Sequence, residues 1–270
     1  MRLGAVMPPM RGSASLGAWV LSQSSGDLVM MLRPLLSLTL GLEAILLART
    51  LVLIALIPPL VGMLPGARAN DGPEPESVTR RPSGHDIALS LGSSWIFALG
   101  GAVVIQADGL GLTRLIHEPG SPWWLAPLEF VGVLLLQDTL FYGLHRLMHH
   151  RLCYRWLHQG HHHSRHPTGW TAFAFDPGEG LLQAGFLVGV VFLIPLQSAT
   201  LLALLLTMSA WAVVNHLDPA QESGAPRSER LGGWLIGATH HGLHHRRPGR
   251  NFGLYFTFWD RFCGTAEPSV

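Results

Sequence analysis

WWLAPLEFVGVLLLQDTLFYGLHRLMHH, residues 123–150, is the stretch that decides the fold. The Trp123–Trp124 pair suits the aromatic belt at a membrane–water boundary, and the apolar run that follows, through Leu136, reads as a transmembrane helix. No Gly-Pro break interrupts it before His149. About 26 residues at ~1.5 Å rise cover roughly 39 Å, more than the ~30 Å hydrocarbon core, so the helix is expected to continue into water. Its emerging end carries histidine. Asp138, Tyr142, His145 and His149 fall at i, i+4, i+7 and i+11, a single stripe along one face.

Working outward, 48% hydrophobic residues, only 13% charged and a mean hydropathy of +0.31 place the 270-residue chain among membrane proteins. Soluble domains carry nearly twice that share of charge. The formal net charge is +1 and no basic domain is present, which excludes a nucleic-acid partner. All 18 basic residues are arginine, a mark of genome composition rather than of chemistry. Cys153 and Cys263 offer no spaced set for a disulfide framework and read as free thiols.

The expected architecture is all-α, an integral-membrane bundle of about four to five spans with a cytoplasmic histidine-rich helical cap. Residues 1–33 read as a poorly ordered N-terminal segment, 34–122 as N-terminal spans and a linker, and 123–268 as the catalytic domain. Pro34 to Leu64 is long enough for one bent span or a re-entrant hairpin broken at Pro58–Pro59. An alternative is a cleaved leader ending at Ala67-Arg-Ala69, although its length far exceeds the usual 15 to 30 residues. Asn70 to His85 reads as a linker and Ile87 to Ala107 as a second span. Gly180 to Ile194 and Ala199 to Leu217 read as a helical hairpin turned at Pro195–Ser198.

Most of the 15 histidines lie in three boxes: His145 to His150, His158 to His163 and His240 to His245, with His216 alone between the last two. Imidazole is a good borderline ligand that is neutral near pH 7, so many histidines without thiolates suit Fe, Zn, Cu or Ni rather than Ca or Mg. Positions three and four apart share a helix face, so His145/His149, His158/His161/His162 and His241/His244/His245 are each expected to present their rings to one point. Nine converging nitrogens, counting His216, exceed the needs of one ion and imply two. His150, His163 and His240 abut their boxes at the wrong angle, and His85, His117 and His166 read as ordinary surface residues. A ligating imidazole usually donates its other N–H to a carboxylate, which makes Asp138 the candidate catalytic acid, acting through His145 rather than binding metal. Glu129 and Asp218 are weaker cases with structural roles expected.

Arg146, Arg151, Arg155 and Arg165 flank the first two boxes and Arg246, Arg247 and Arg250 follow the last, so the positive-inside rule puts the boxes on the cytoplasmic face. Two other classes stay open on the residues alone. A histidine-rich metal-binding or transport protein would hold its histidines at mid-membrane, whereas these lie past the span ends. A zinc hydrolase needs three ligands and an open position, leaving most of these histidines unexplained.

The order His145-x3-His149, His158-x2-His161-His162, His216, His241-x2-His244-His245, then Asn251-Phe-Gly253 and Trp259-Asp260-Arg-Phe-Cys-Gly264-Thr265, resembles the fatty acid hydroxylase/sterol desaturase superfamily of membrane non-haem di-iron enzymes. It covers about Trp124 to Pro268, and Pro167 to Gln183 with Pro195-Leu-Gln197 looks most like the sterol C-5 desaturase (lathosterol oxidase) branch. Asp176-Pro177 departs from the His-Pro expected of many relatives. The resemblance implies two iron ions and O2-dependent hydroxylation or desaturation of a sterol-like or fatty-acyl lipid taken from the bilayer. The chain shows no strand-borne G-x-G-x-x-G, no Fe–S cysteine cluster and no credible haem loop, so an external electron donor, cytochrome b5-like or a ferredoxin/reductase, is implied.

Overall fold

The computed structural model describes residues 16–63, 82–117, 120, 122–164, 167–217 and 233–267, with side chains described from Leu32 onward. Its elements are α1 (Leu16–Gly62), α2 (Gly84–Gly109), β1 (Leu115–Ile116), α3 (Leu125–Met148), α4 (Tyr154–Leu157), α5 (Pro177–Leu193), β2 (Leu196–Gln197), α6 (Ser198–Asn215), α7 (Ala238–Arg246) and α8 (Phe258–Phe262). Single 3-10 turns occur at His161–His163 and Thr171–Phe173.

Among the described residues, four helices are long and apolar enough to cross a membrane: Leu32–Val61 within α1, then α2, α3 and α6, with the shorter apolar α5 beside them. The protein is thus a multi-pass helical membrane bundle. Leu36, Leu40, Ile45, Leu51 and Leu56 of α1 all face outward, which water would penalise and lipid does not. α1 begins upstream of the boundary expected at residue 33, at Leu16. It also runs through Pro58–Pro59 to Gly62 as one helix, so the re-entrant hairpin is not formed. Each of the two prolines forfeits its own N–H bond to the carbonyl four residues back, at Ile54 and Ala55, so the lost bonds fall in the last turns of the helix. The candidate leader site at Ala67–Ala69, most of the linker, Arg165, His166 and Asp218 lie outside the described residues.

The α3 segment forms as its sequence dictates, one helix to Met148 with His149 as its C-cap. α2 starts on Ser83, whose Oγ accepts the Asp86 N–H at 3.0 Å, with Asp86 itself at the positive helix terminus. Pro177 opens α5 at a position where its missing N–H costs nothing. The α5–α6 turn is pinned at the end remote from the histidines: β1 and β2 pair in parallel, Leu115 against Leu196 and Ile116 against Gln197, and Glu129 accepts the Gln197 N–H at 3.1 Å. Val133, Val190, Leu196 and Leu204 pack there. A second cluster, Ala172, Phe173, Val213 and Leu217 with Ile57 and Val61, lies beneath the histidine end. The bundle is therefore clamped at both ends, and the short helices α4, α7 and α8 cap one of them.

Candidate metal centre

Two groups of buried or nearly buried imidazoles lie side by side at the capped end. His145, His149, His158, His162 and His244 offer one nitrogen each within 4.8 Å of one another, and His161, His216, His241 and His245 do the same. All nine histidines singled out from the sequence are thus brought together; His150, His163 and His240 are in neither group, and Asp138 is not beside them. The boxes, however, do not each face one point. His158 and His162 join the first group while His161 joins the second, and His241 and His245 join the second while His244 joins the first. Adjacent residues in a helical turn diverge by about 100°, so each His-His pair feeds two centres rather than one. Nor is the second box a single α-helix: His158 caps α4 and His161–His163 form a 3-10 turn.

The far side of most rings is fixed. Nδ1 of His145 faces the Phe252 carbonyl at 2.9 Å, His161 that of Ala174 at 3.1 Å, His216 that of Ala212 at 2.7 Å, His244 that of Arg250 at 2.6 Å and His245 that of Ser164 at 3.1 Å. His158 Nδ1 faces Glu179 Oε2 at 2.7 Å. A carbonyl oxygen can only accept, so those Nδ1 atoms carry the hydrogen and their Nε2 atoms keep a bare lone pair. Burial pushes His149, His158 and His216 down to about 3 and lowers His161, His162, His241, His244 and His245 below the ordinary imidazole range. Neighbouring imidazoles reinforce the shift at most of them, and all stay neutral near pH 7.

Their spacing supplies a test of metal fit. His145 Nε2 and His158 Nε2 stand 3.0 Å apart, and His149–His244, His162–His244, His216–His241 and His241–His245 approach at 3.1, 3.0, 3.1 and 3.2 Å between Nε2 atoms. Two imidazole nitrogens so placed need a proton or a cation between them. Ligand nitrogens ~2.1 Å from one ion are themselves roughly 3 Å apart at right angles, which is the spacing seen. The donor set fits two borderline cations with all-imidazole coordination.

Five carboxylates hold this arrangement, and only Asp138 was given a role from the sequence. Asp138 does not touch His145, contrary to expectation. Its Oδ1 accepts the N–H groups of Leu254, Tyr255 and Phe256 at 3.3, 2.7 and 3.3 Å, while His145 takes the Phe252 carbonyl from the same loop. From the other side, Asp260 accepts the N–H groups of Phe252 and Gly253, both at 2.8 Å. A Cβ at Gly253 would lie 2.5 Å from the Phe256 carbonyl, so the Asn251-Phe-Gly253 turn closes only around glycine. Asp138 and Asp260 therefore position a carbonyl, and the carbonyl positions His145.

Glu179 and Asp86 went unread in the sequence. Glu179, 1% exposed, holds His158 directly and is held by Gln183 Nε2 at 3.0 Å. An acid in the first turn of an otherwise apolar helix was the available signal, the same one that drew notice to Asp138. Asp86 accepts Ser164 Oγ and Thr171 Oγ1, and thereby fixes the Ser164 carbonyl that orients His245. At the Asp176-Pro177 departure, Asp176 Oδ2 takes the N–H groups of Gly160 at 2.6 Å and His161 at 3.3 Å, and a Cβ at Gly160 would collide with that carboxylate. The aspartate ties the second box to the start of α5.

Helical membrane spans presenting two adjoining all-histidine groups at one end define a multi-pass membrane protein with clusters that could hold metal. Residues 130–265 match the sequence model of the fatty acid hydroxylase family, half of the chain, and the protein belongs to that family. It is 33% identical over 162 residues to a Delta(7)-sterol 5(6)-desaturase of Gibberella zeae, covering 60% of this chain and 44% of that one. It is 32% identical over 158 residues to human lathosterol oxidase, covering 57% and 51%, and 32% identical over 148 residues to a rat methylsterol monooxygenase, covering 53% and 48%. The chain spans about half the length of the curated relatives it matches. No solved structure matches it.

Proposed function

We propose that the protein is an O2-dependent lipid hydroxylase or desaturase carrying two iron ions. The observation that carries the reading is the pair of histidine groups, five and four, with ring nitrogens at ~3 Å spacing. His145, His149, His158, His162 and His244 would hold one ion, and His161, His216, His241 and His245 the other. When bound, the irons would supply the redox equivalents for cleaving an unactivated C–H bond with O2. The chain's own residues orient the rings through Nδ1, keep them neutral by burial, and provide no thiolate that an oxidant would destroy.

An apolar cavity of about 240 Å³ between α1, α2, α5 and α6 adjoins the second group, because Phe175 lines it and stacks on His161 at 5.8 Å between ring centroids. It offers an apolar lipid a route from the bilayer to the histidines. In hydroxylation, O2, two electrons and two protons convert C–H to C–OH and release one water; removal of a second hydrogen gives an alkene and a second water. The electrons come from an external donor, cytochrome b5-like or a ferredoxin/reductase. The arginines flanking the boxes support a cytoplasmic orientation. Anaerobic iron reconstitution with metal analysis, followed by lipid profiling of a host expressing the protein, tests the reading. About two irons per chain and a new oxidised lipid are expected; an iron-free protein, or an unchanged lipid profile with two irons bound, would reject it.

A further inference from the structure

The cavity beside the second histidine group contains a charge with no counter-charge among the described residues. Arg49, on the α1 wall within the span, gives Nη1 to Ser209 Oγ at 3.0 Å and Nη2 to Thr50 Oγ1 at 3.4 Å, and its guanidinium lies 4.8 Å from the Phe173 ring. Its Nε is buried with no hydrogen-bond partner among the described residues. Of five guanidinium donors, two are used, both on neutral hydroxyls. The acid nearest along α1 does not neutralise it: Glu43 turns its Oε1 to Ser94 Oγ at 2.6 Å. Arg49, Ser209 and Thr50 all line the cavity, whose remaining wall is mostly aliphatic and aromatic.

An unpaired guanidinium in a low-dielectric site is costly, and a full anion offsets that cost far better than a neutral oxygen does. The walls contributed by α1 and α2 lie outside the family match at 130–265. Ser209 precedes His216 by seven residues of α6, roughly 10 Å at ~1.5 Å per residue, which separates the charged contact from the metal centre by several carbon–carbon bonds.

We infer that the cavity takes a lipid bearing a carboxylate, held by Arg49 within the membrane, with its hydrocarbon extending toward the histidine groups. That the occupant is the substrate rests on the oxidase reading; that an acidic lipid binds there does not.

The test uses the iron-loaded full chain in nanodiscs of neutral phospholipid. A photo-crosslinkable fatty acid labels the protein, and unlabelled oleate or oleyl alcohol competes at matched mole fractions, at a pH that ionises the acid. Oleate should protect at about tenfold lower mole fraction than the alcohol, the difference between a charge-assisted and a neutral hydrogen bond. In Arg49→Met the two competitors should become equivalent, with iron content unchanged, while Arg49→Lys should keep part of the preference. Equal protection by acid and alcohol in the unmodified protein, a comparison needing no variant, would overturn the inference. So would a preference that survives in Arg49→Met. Acid preference in a protein that binds no iron would leave this inference standing and reject the oxidase reading.

Discussion

Glu179→Ala should empty one metal position and largely spare the other. Glu179 Oε2 accepts the His158 Nδ1–H at 2.7 Å, and both groups are buried. Alanine leaves that N–H without a partner and frees the ring to rotate, and it strips Gln183 of its acceptor as well. Losing such an outer partner costs about 10 to 100-fold in metal affinity, or ~1.4 to 2.7 kcal/mol. His158 belongs to the five-histidine group alone. His161 of the other group stacks on His158 at 5.0 Å and feels the carboxylate only through space, so its centre should shift less. In an anaerobic ferrous titration followed by metal analysis, iron at limiting free metal should fall from about two to about one per chain. Glu179→Gln keeps an oxygen at the same reach and should stay near two. Equal weakening of both centres, or no change in the alanine variant, would refute the division of the histidines into groups of five and four.

Asp138→Ala removes the acceptor of three backbone N–H groups and should cost on the order of 1 to 3 kcal/mol, seen as a lower Tm together with weaker iron binding through the Phe252–His145 contact. Asp138→Asn, which keeps the oxygen, should retain iron; wild-type Tm and iron in the alanine variant would show that the loop holds itself. Metal-free protein should lose stability on acidification, because His149, His158 and His216 sit at about 3 when folded against 6.5 when unfolded. The unfolded chain then binds more protons, so this stabilisation is full above 6.5 and is lost as pH falls toward 3; a Tm that does not drop between about pH 7.5 and about pH 5.5 would contradict it. With Cys153 and Cys263 replaced, single cysteines at Arg151, beside the boxes, and Leu112, at the opposite end of the bundle, should label from the cytoplasm and from the other side respectively; labelling of both from one side would contradict the proposed orientation.

The spans and the nine histidines were legible because both are written locally, in hydropathy over a helix length and in ligand type. How the histidines divide was not. Spacing three or four apart identifies a shared face only if the segment is a regular helix, and the chain between Tyr154 and His163 changes from α4 to a 3-10 turn within a few residues. The split of His161 from His162 and of His244 from His245 does follow from helical geometry, since neighbours diverge by about 100°. The consecutive pair is thus the element that makes two centres adjoin, and a substitution of either member should be read against its own group. The supporting acids were harder still: Asp86 acts on Ser164 and Asp138 on Tyr255 across 78 and 117 positions. Asp138 illustrates the difficulty, because its stripe position on α3 is right and its partner is wrong. A helix face says which way a carboxylate leaves the backbone, but not which remote loop reaches it first. In this protein the loop after α7 does so, and its three converging N–H groups give that oxygen stronger company than a single imidazole could.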